Sequence, residues 1–170
     1  MSAGAFGNMK PALLALDLQN DFFEADNPNL AGFQRTIPAI NAAIALFRQR
    51  GWPIIFIQHT SKTKPTGSHA WQIHPGFDCR PEDRRVQKSH LNAFWDSELD
   101  TALKLLGVDW VVLVGYVSEF CVLSTFRGAG ERGYKNAILK DGIASLDEQR
   151  TQFTLDISTT TTLDDLATTK

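Results

Sequence analysis

Cysteine, net charge and long apolar runs are all scarce in this 170-residue sequence. Its two cysteines, Cys79 and Cys121, are too few for the disulfide framework of a small secreted domain. The formal net charge is only −2, and acidic and basic residues are interspersed, so the chain lacks the basic patch typical of proteins that bind nucleic acids or anionic membranes. No apolar run approaches the roughly 20 residues that a membrane-spanning helix needs. We therefore expect neither a nucleic acid nor a membrane as a partner.

The amino terminus shows no sign of a targeting segment. Met1 to Phe6 lack both the basic and the apolar parts of a secretory signal peptide. Because the cysteines also form no framework, we expect reduced thiols and a cytoplasmic location. The length is that of one domain, spanning residues 1–170, and the sequence contains no internal repeat or linker.

Short apolar segments alternate with amphipathic ones along most of the chain. The predicted strands span residues 11–16, 54–57, 86–88, 110–114, 136–139 and 159–162. The first predicted helix ends at Gly51. The other three run from residue 96 to 107, from 121 towards 133, and from 146 to about 156. Strands that alternate with helices predict an α/β fold, a three-layer α/β/α sandwich around a mainly parallel, Rossmann-like sheet. Residues 58–85 show no period, and a loop of that length in a compact domain is usually functional.

Three chemically distinct side chains fall at the carboxyl ends of predicted strands. Asp17 follows the first strand, Lys88 ends the short third strand, and Cys121 lies just beyond residues 110–114. Ligands bind beyond the carboxyl ends of the strands in such sheets, so we expect these residues to meet. Taken singly, each has a structural interpretation: a turn acceptor, a solvated lysine and a packed core thiol.

Together, these groups suit acyl transfer through a cysteine nucleophile. A free thiol has a pKa of about 8.5, whereas a helix amino terminus and an ammonium group both favour the thiolate. A carboxylate can accept the thiol proton and later donate it to a leaving amine. On this view, replacing Asp17 by Asn should reduce the thiolate fraction. Two alternatives remain open: a thiol redox protein that uses Cys121, with Cys79 as a partner, and a metabolite-binding protein without turnover.

Four ordered blocks of the sequence resemble one known family. They are DLQNDF at residues 17–22, GS at 67–68 with WQIHP at 71–75, Lys88 with AF at 93–94, and GYVSEFCV at 115–122. The chain is similar to the isochorismatase-like cysteine hydrolases, which include nicotinamidases and amidohydrolases of carbamoyl and ureido compounds. The resemblance implies a catalytic triad of Asp17, Lys88 and Cys121 that cleaves a small-molecule amide through a Cys121 thioester.

The resemblance also implies a cis peptide bond between Tyr116 and Val117. It further implies an oxyanion hole formed by the backbone N–H groups of Val117 and Cys121, and a homo-oligomeric assembly. Candidate substrate-binding residues are Phe23, His59, Trp71, Phe94 and Trp95.

The sequence departs from metal-binding nicotinamidases at the end of the second strand. Those enzymes carry Asp and His two residues apart, where this chain has Gln58 and His59. His69 and His74 lie five residues apart without a neighbouring Asp, which is a weak metal pattern. We therefore expect no metal and no other cofactor.

Overall fold

Six strands form one parallel sheet in the computed structural model, which describes residues 9–169. The strands are β1 (Pro11–Leu16), β2 (Ile54–His59), β3 (Arg84–Lys88), β4 (Trp110–Tyr116), β5 (Lys135–Ala144) and β6 (Thr160–Thr161). Their order across the sheet is β3-β2-β1-β4-β5-β6, and every pairing is parallel. The predicted sheet is therefore confirmed, and within the described residues it is wholly rather than mainly parallel.

Helices cover both faces of this sheet. They are α1 (Leu30–Gln49), α2 (Leu99–Leu105), α3 (Leu123–Glu131), α4 (Glu148–Asp156) and α5 (Leu163–Ala167). Apolar residues of α2, α3 and α4 pack on one face, whereas those of α1 and α5 pack on the other. This arrangement is the three-layer sandwich expected from the sequence. No helix within residues 9–169 is long and apolar enough to cross a membrane.

The burial of the central strands on both faces explains why the sequence predicts them clearly. All seven residues of β4 are buried. Val111 and Leu113 face the α2 side of the sheet, whereas Val112 and Val114 face the α1 side. Because successive side chains of a strand point to opposite faces, a sheet covered on both sides requires a continuous apolar run.

Element boundaries differ from the sequence predictions at several points. Helix α2 begins at Leu99 rather than Asp96, because Asp96 has a left-handed backbone with φ of 48°. The Ser97 hydroxyl accepts a hydrogen bond from the Leu99 N–H, and the helix starts there instead. Cys121 lies within a π-helical turn, Ser118–Val122, that precedes α3. Strand β5 is longer than predicted, and β6 is shorter.

The strand order places a crevice between β1 and β4. The chain proceeds from β1 towards one edge of the sheet and from β4 towards the other, which creates a topological switch point where such sheets bind ligands. The two strands approach closely here, since a Cβ on Gly115 would lie 1.9 Å from the Leu16 carbonyl oxygen. Only glycine fits this position, where φ is also 116°.

Candidate active site

Lys88 lies at the centre of the polar cluster at the carboxyl ends of the strands. Its Nζ is 3.0 Å from Asp17 Oδ2 and 3.2 Å from Cys121 Sγ. It is also 3.1 Å from His59 Nδ1 and 3.2 Å from the His90 carbonyl oxygen. The Lys88 side chain is completely buried. The structure thus brings together the three residues that the sequence placed at three strand ends.

Asp17 enters the crevice from the end of β1. Its N–H donates to the Ile57 carbonyl at 2.8 Å, and its φ of 54° lies in the left-handed region that Asp tolerates better than most residues. One carboxylate oxygen pairs with Lys88, while Oδ1 is buried without a hydrogen-bond partner among the described residues. An unpaired buried carboxylate oxygen is available to accept a proton.

Cys121 is held as a thiol rather than a thiolate. Burial is the main cause that raises the pKa of Cys121 to about 12, the Asp17 charge raises it further, and Lys88 acts in the opposite direction. Lys88 thus favours the thiolate, as the sequence indicated, but burial and the Asp17 charge outweigh it in the resting protein. Charge balance adds to the effect of burial: Asp17 and Lys88 already neutralise each other, so a buried thiolate would leave one negative charge uncompensated.

The bend before Cys121 has an irregular backbone. The peptide bond between Tyr116 and Val117 is cis. Val117 comes directly before the π-helical turn that carries Cys121. The two residues with the expected oxyanion-hole N–H groups therefore belong to one continuous bend at the end of β4.

His59 is the substrate-binding candidate that directly contacts the triad. It ends β2 beside Lys88 on β3, and the two residues are register partners. Burial first, and the Lys88 charge second, lower the pKa of His59 below its ordinary value. A neutral imidazole is the form that can accept a hydrogen bond from an ammonium.

Trp95 is the exposed one among the aromatic candidates. Its side chain is 63% exposed and stacks on the His90 ring with centroids 5.4 Å apart. Since the His90 carbonyl contacts Lys88, Trp95 lies at the rim of the site. Trp71 is partly buried, and its indole Nε1–H donates to Thr60 in the long loop.

The other two aromatic candidates pack against neighbouring rings, but only Phe94 is buried, whereas Phe23 is half-buried. Phe94 is buried and stacks on Tyr134 at 5.8 Å, under the α2 side of the sheet. Phe23 stacks on His74 at 4.0 Å and joins the aromatic cluster around Tyr116 on the α1 side. Packing in the core accounts for Phe94, whereas Phe23 also lines a cavity beside His74.

Two contributors to the site carried little or no sequence signal. Gln19 is fully buried, accepts a hydrogen bond from the His59 N–H at 2.9 Å and donates to the His59 carbonyl at 3.1 Å. Gln19 stands in the DLQNDF block, but no local pattern links it to a residue 40 positions away. His90 contributes its backbone carbonyl, which every residue has, so no side-chain pattern could have revealed it.

The side chains at this site do not fit a divalent cation. His59 presents Nδ1 to an ammonium group rather than to an open coordination position. Within the part of the chain that the structure describes, no group of three or more His, Cys, Asp or Glu residues could hold a metal ion. His69 lies 3.6 Å from Glu24, whereas His74 packs on Phe23, and both histidines line the same cavity of about 430 Å³.

The sequence was compared with models of known protein families. The model described as the isochorismatase domain matches residues 11–163. The chain belongs to the isochorismatase family.

Other members of the isochorismatase family match most of the chain. The isochorismatase-like hydrolase from Alkaliphilus metalliredigens has a TM-score of 0.84 and 29% identity, and the alignment covers 93% of this chain and 97% of that one. The isochorismatase family protein YddQ of Bacillus subtilis is 29% identical, covering 81% of this chain and 79% of the relative. Nicotinamidase 3 of Arabidopsis thaliana is 26% identical, and the alignment covers 85% of this chain and 78% of the relative. This isochorismatase-family hydrolase thus has amidohydrolases among its relatives.

Proposed function

We propose that the protein is a metal-independent amidohydrolase that cleaves a C–N bond of a small molecule through a thioester on Cys121. The observation that carries this proposal is the position of Lys88 Nζ, 3.0 Å from Asp17 and 3.2 Å from Cys121. A nucleophile and a proton acceptor thereby contact the same cation, which can stabilise either anion. Similarity to a nicotinamidase supports amide chemistry.

In the first half of the proposed reaction, Asp17 accepts the Cys121 proton as Sγ attacks the substrate carbonyl carbon. A C–S bond forms, and the carbonyl oxygen becomes an oxyanion that the N–H groups of Val117 and Cys121 would stabilise. Asp17 then donates its proton to the substrate nitrogen. The C–N bond breaks, and ammonia or an amine leaves a thioester behind.

In the second half, water replaces the amine. Asp17 accepts a proton from the attacking water, a C–O bond forms, and the C–S bond breaks. The proton then returns from Asp17 to Cys121, which restores the thiol. Asp17 accepts one proton and donates it again in each half, and no atom is oxidised or reduced. The cycle therefore needs neither a cofactor nor a redox partner.

The raised pKa of Cys121 fits this cycle, because a thiol that loses its proton only during attack is protected from other electrophiles. It also argues against the redox alternative, since redox-sensing cysteines are exposed and have low pKa values. Cys121 is 7% exposed. Cys79, the suggested redox partner, is a free thiol whose pKa is raised, mainly by burial.

The contacts of Asp17 and Lys88 also favour a catalyst over a binding protein without turnover. A buried lysine and a buried aspartate in contact with a thiol would serve no purpose in simple ligand binding. We further propose a cytoplasmic homo-oligomer, in keeping with the composition and the family resemblance.

An ammonia-release screen tests the proposal. The amides are nicotinamide, a ureido acid, a carbamoyl amino acid and simple aliphatic amides, each with wild-type protein and Cys121→Ala. We expect turnover of at least one amide by the wild type only, together with a trapped acyl adduct on Cys121 by mass spectrometry after rapid acid quench. Peroxide consumption without release of ammonia would instead support the redox alternative.

A further inference from the structure

Lys88 has more hydrogen-bond acceptors around it than it has protons. An ammonium group has three N–H donors, and four acceptors lie within 3.2 Å of Nζ: Asp17, His59, the His90 carbonyl and Cys121. Sulfur is a weak acceptor while it carries its proton. The carboxylate, the imidazole and the carbonyl are therefore the stronger partners of the three N–H groups, and the 3.2 Å contact with the thiol sulfur is the weakest of the four.

This arrangement determines the chemical state of His59. Since Lys88 can only donate, His59 Nδ1 must be unprotonated, and the neutral ring carries its proton on Nε2. The backbone of His59 is held on both sides by the Gln19 side-chain amide, at 2.9 and 3.1 Å. The same Gln19 amide donates to the Trp71 carbonyl at 2.7 Å. The ring is therefore placed by a buried network rather than by contact with solvent.

We propose that His59 is a positioning residue: its neutral Nδ1 anchors the Lys88 ammonium while one N–H of Lys88 changes partner from Asp17 to Cys121. This inference rests on the proposed function, because the exchange accompanies formation of the thioester. When the Cys121 proton moves to Asp17, negative charge moves from carboxylate to sulfur, and one Lys88 N–H follows it. His59 and the His90 carbonyl keep the other two N–H groups, so Nζ stays in place.

The acceptor role makes the proposed reaction sensitive to protonation of His59. A protonated ring has no acceptor nitrogen and would place a second cation beside Lys88. The charged groups that face His59 are Lys88, Asp17, Lys64 and Asp21, and the last two pair with each other. Burial and Lys88 lower the pKa of His59, so the neutral ring persists below the ordinary histidine range and is lost only as the pH falls through that lowered value.

Two substitutions separate the acceptor from the ring. His59→Asn places an amide oxygen at the same number of bonds from Cα as Nδ1, and this oxygen does not titrate. His59→Phe keeps a ring of similar size but has no acceptor. We expect His59→Phe to lower kcat about 10- to 100-fold, the typical range for losing a hydrogen bond to a charged group, with KM nearly unchanged. His59→Asn should recover most of that loss and should lack the part of the acid limb that belongs to the imidazole.

Imidazole nitrogen NMR of ¹⁵N-labelled protein tests the anchor without any substrate. His59 is assigned by the signals missing in His59→Asn, and it should be neutral and protonated on Nε2 at pH 7.5. In Lys88→Met both neutral tautomers should appear. A ring protonated on Nδ1 in the wild type, or a His59→Phe variant with wild-type kcat, would overturn the inference. If the wild type hydrolyses none of the amides, the proposed function fails, whereas the imidazole spectrum still decides whether His59 anchors Lys88.

Discussion

Replacing Asp17 by Asn should make Cys121 more reactive towards alkylation while it abolishes amide turnover. In the wild type the pKa of Cys121 is about 12, so about one thiol in 100,000 is ionised at pH 7. Asparagine fills nearly the same space without the negative charge. Lys88 would then have the thiolate as its only anionic partner, so the Asp17 charge would no longer favour the thiol and only burial would still do so.

The structure bounds the size of this effect. Asp17 Oδ2 and Cys121 Sγ lie 3.0 and 3.2 Å from the same nitrogen, so they cannot be further apart than the sum of those distances. Even at that maximum of about 6 Å, with an effective dielectric constant of about 20, two unit charges interact by about 2.7 kcal/mol. Removing the carboxylate should therefore raise the thiolate fraction at least about 100-fold. A less basic thiolate is also less nucleophilic, so the alkylation rate should rise about tenfold.

The assay is alkylation by iodoacetamide at pH 7, followed by mass spectrometry of the peptide that contains Cys121, which distinguishes it from Cys79. Lys88→Met is the matched control. It removes the ammonium that lowers the Cys121 pKa and should slow alkylation. Ammonia release by Asp17→Asn should fall at least about 100-fold, because the general acid and base is lost.

A folded Asp17→Asn variant whose Cys121 reacts at the wild-type rate or more slowly would refute the charge-balance argument. That slower rate is what the sequence suggested when Asp17 was regarded only as the base for the thiol. A variant with accelerated alkylation and intact amide turnover would instead refute the catalytic role of Asp17.

Three further outcomes are expected. Cys121→Ala should stay folded by circular dichroism but release no ammonia and show no acyl adduct; an adduct elsewhere would contradict the thioester. Dialysis against a chelator should leave turnover unchanged, whereas loss that zinc, iron or manganese restores would contradict metal independence. Gly115→Ala should lower the free energy of unfolding in urea by about 3 kcal/mol, because the new Cβ meets the Leu16 carbonyl. Gly133→Ala, a left-handed control with nothing within 4 Å of its Cβ, should cost only about 1 kcal/mol, and equal losses would refute the clash.

The long loop was the least predictable part of the fold. Residues 60–83 contain no regular helix or strand among the elements of the structure, and their order comes from contacts with distant residues. The Gln19 and Asn20 side chains bind the carbonyls of Trp71 and His69, respectively. No periodic sequence pattern predicts such hydrogen bonds, because they depend on which backbone groups the fold leaves unpaired.

The sequence by itself determined the layers and the edge of the sheet where the site lies. Both follow from local patterns: apolar runs such as residues 110–114 predict strands buried on two faces, and polar residues at their carboxyl ends lie along one edge of a parallel sheet. Only the tertiary structure decided the protonation state of Cys121, the contact of His59 with Lys88 and the packing of Phe94 inside the core. These properties depend on distances between groups far apart in the chain and on burial, which set the strength of each charge interaction and have no local sequence pattern.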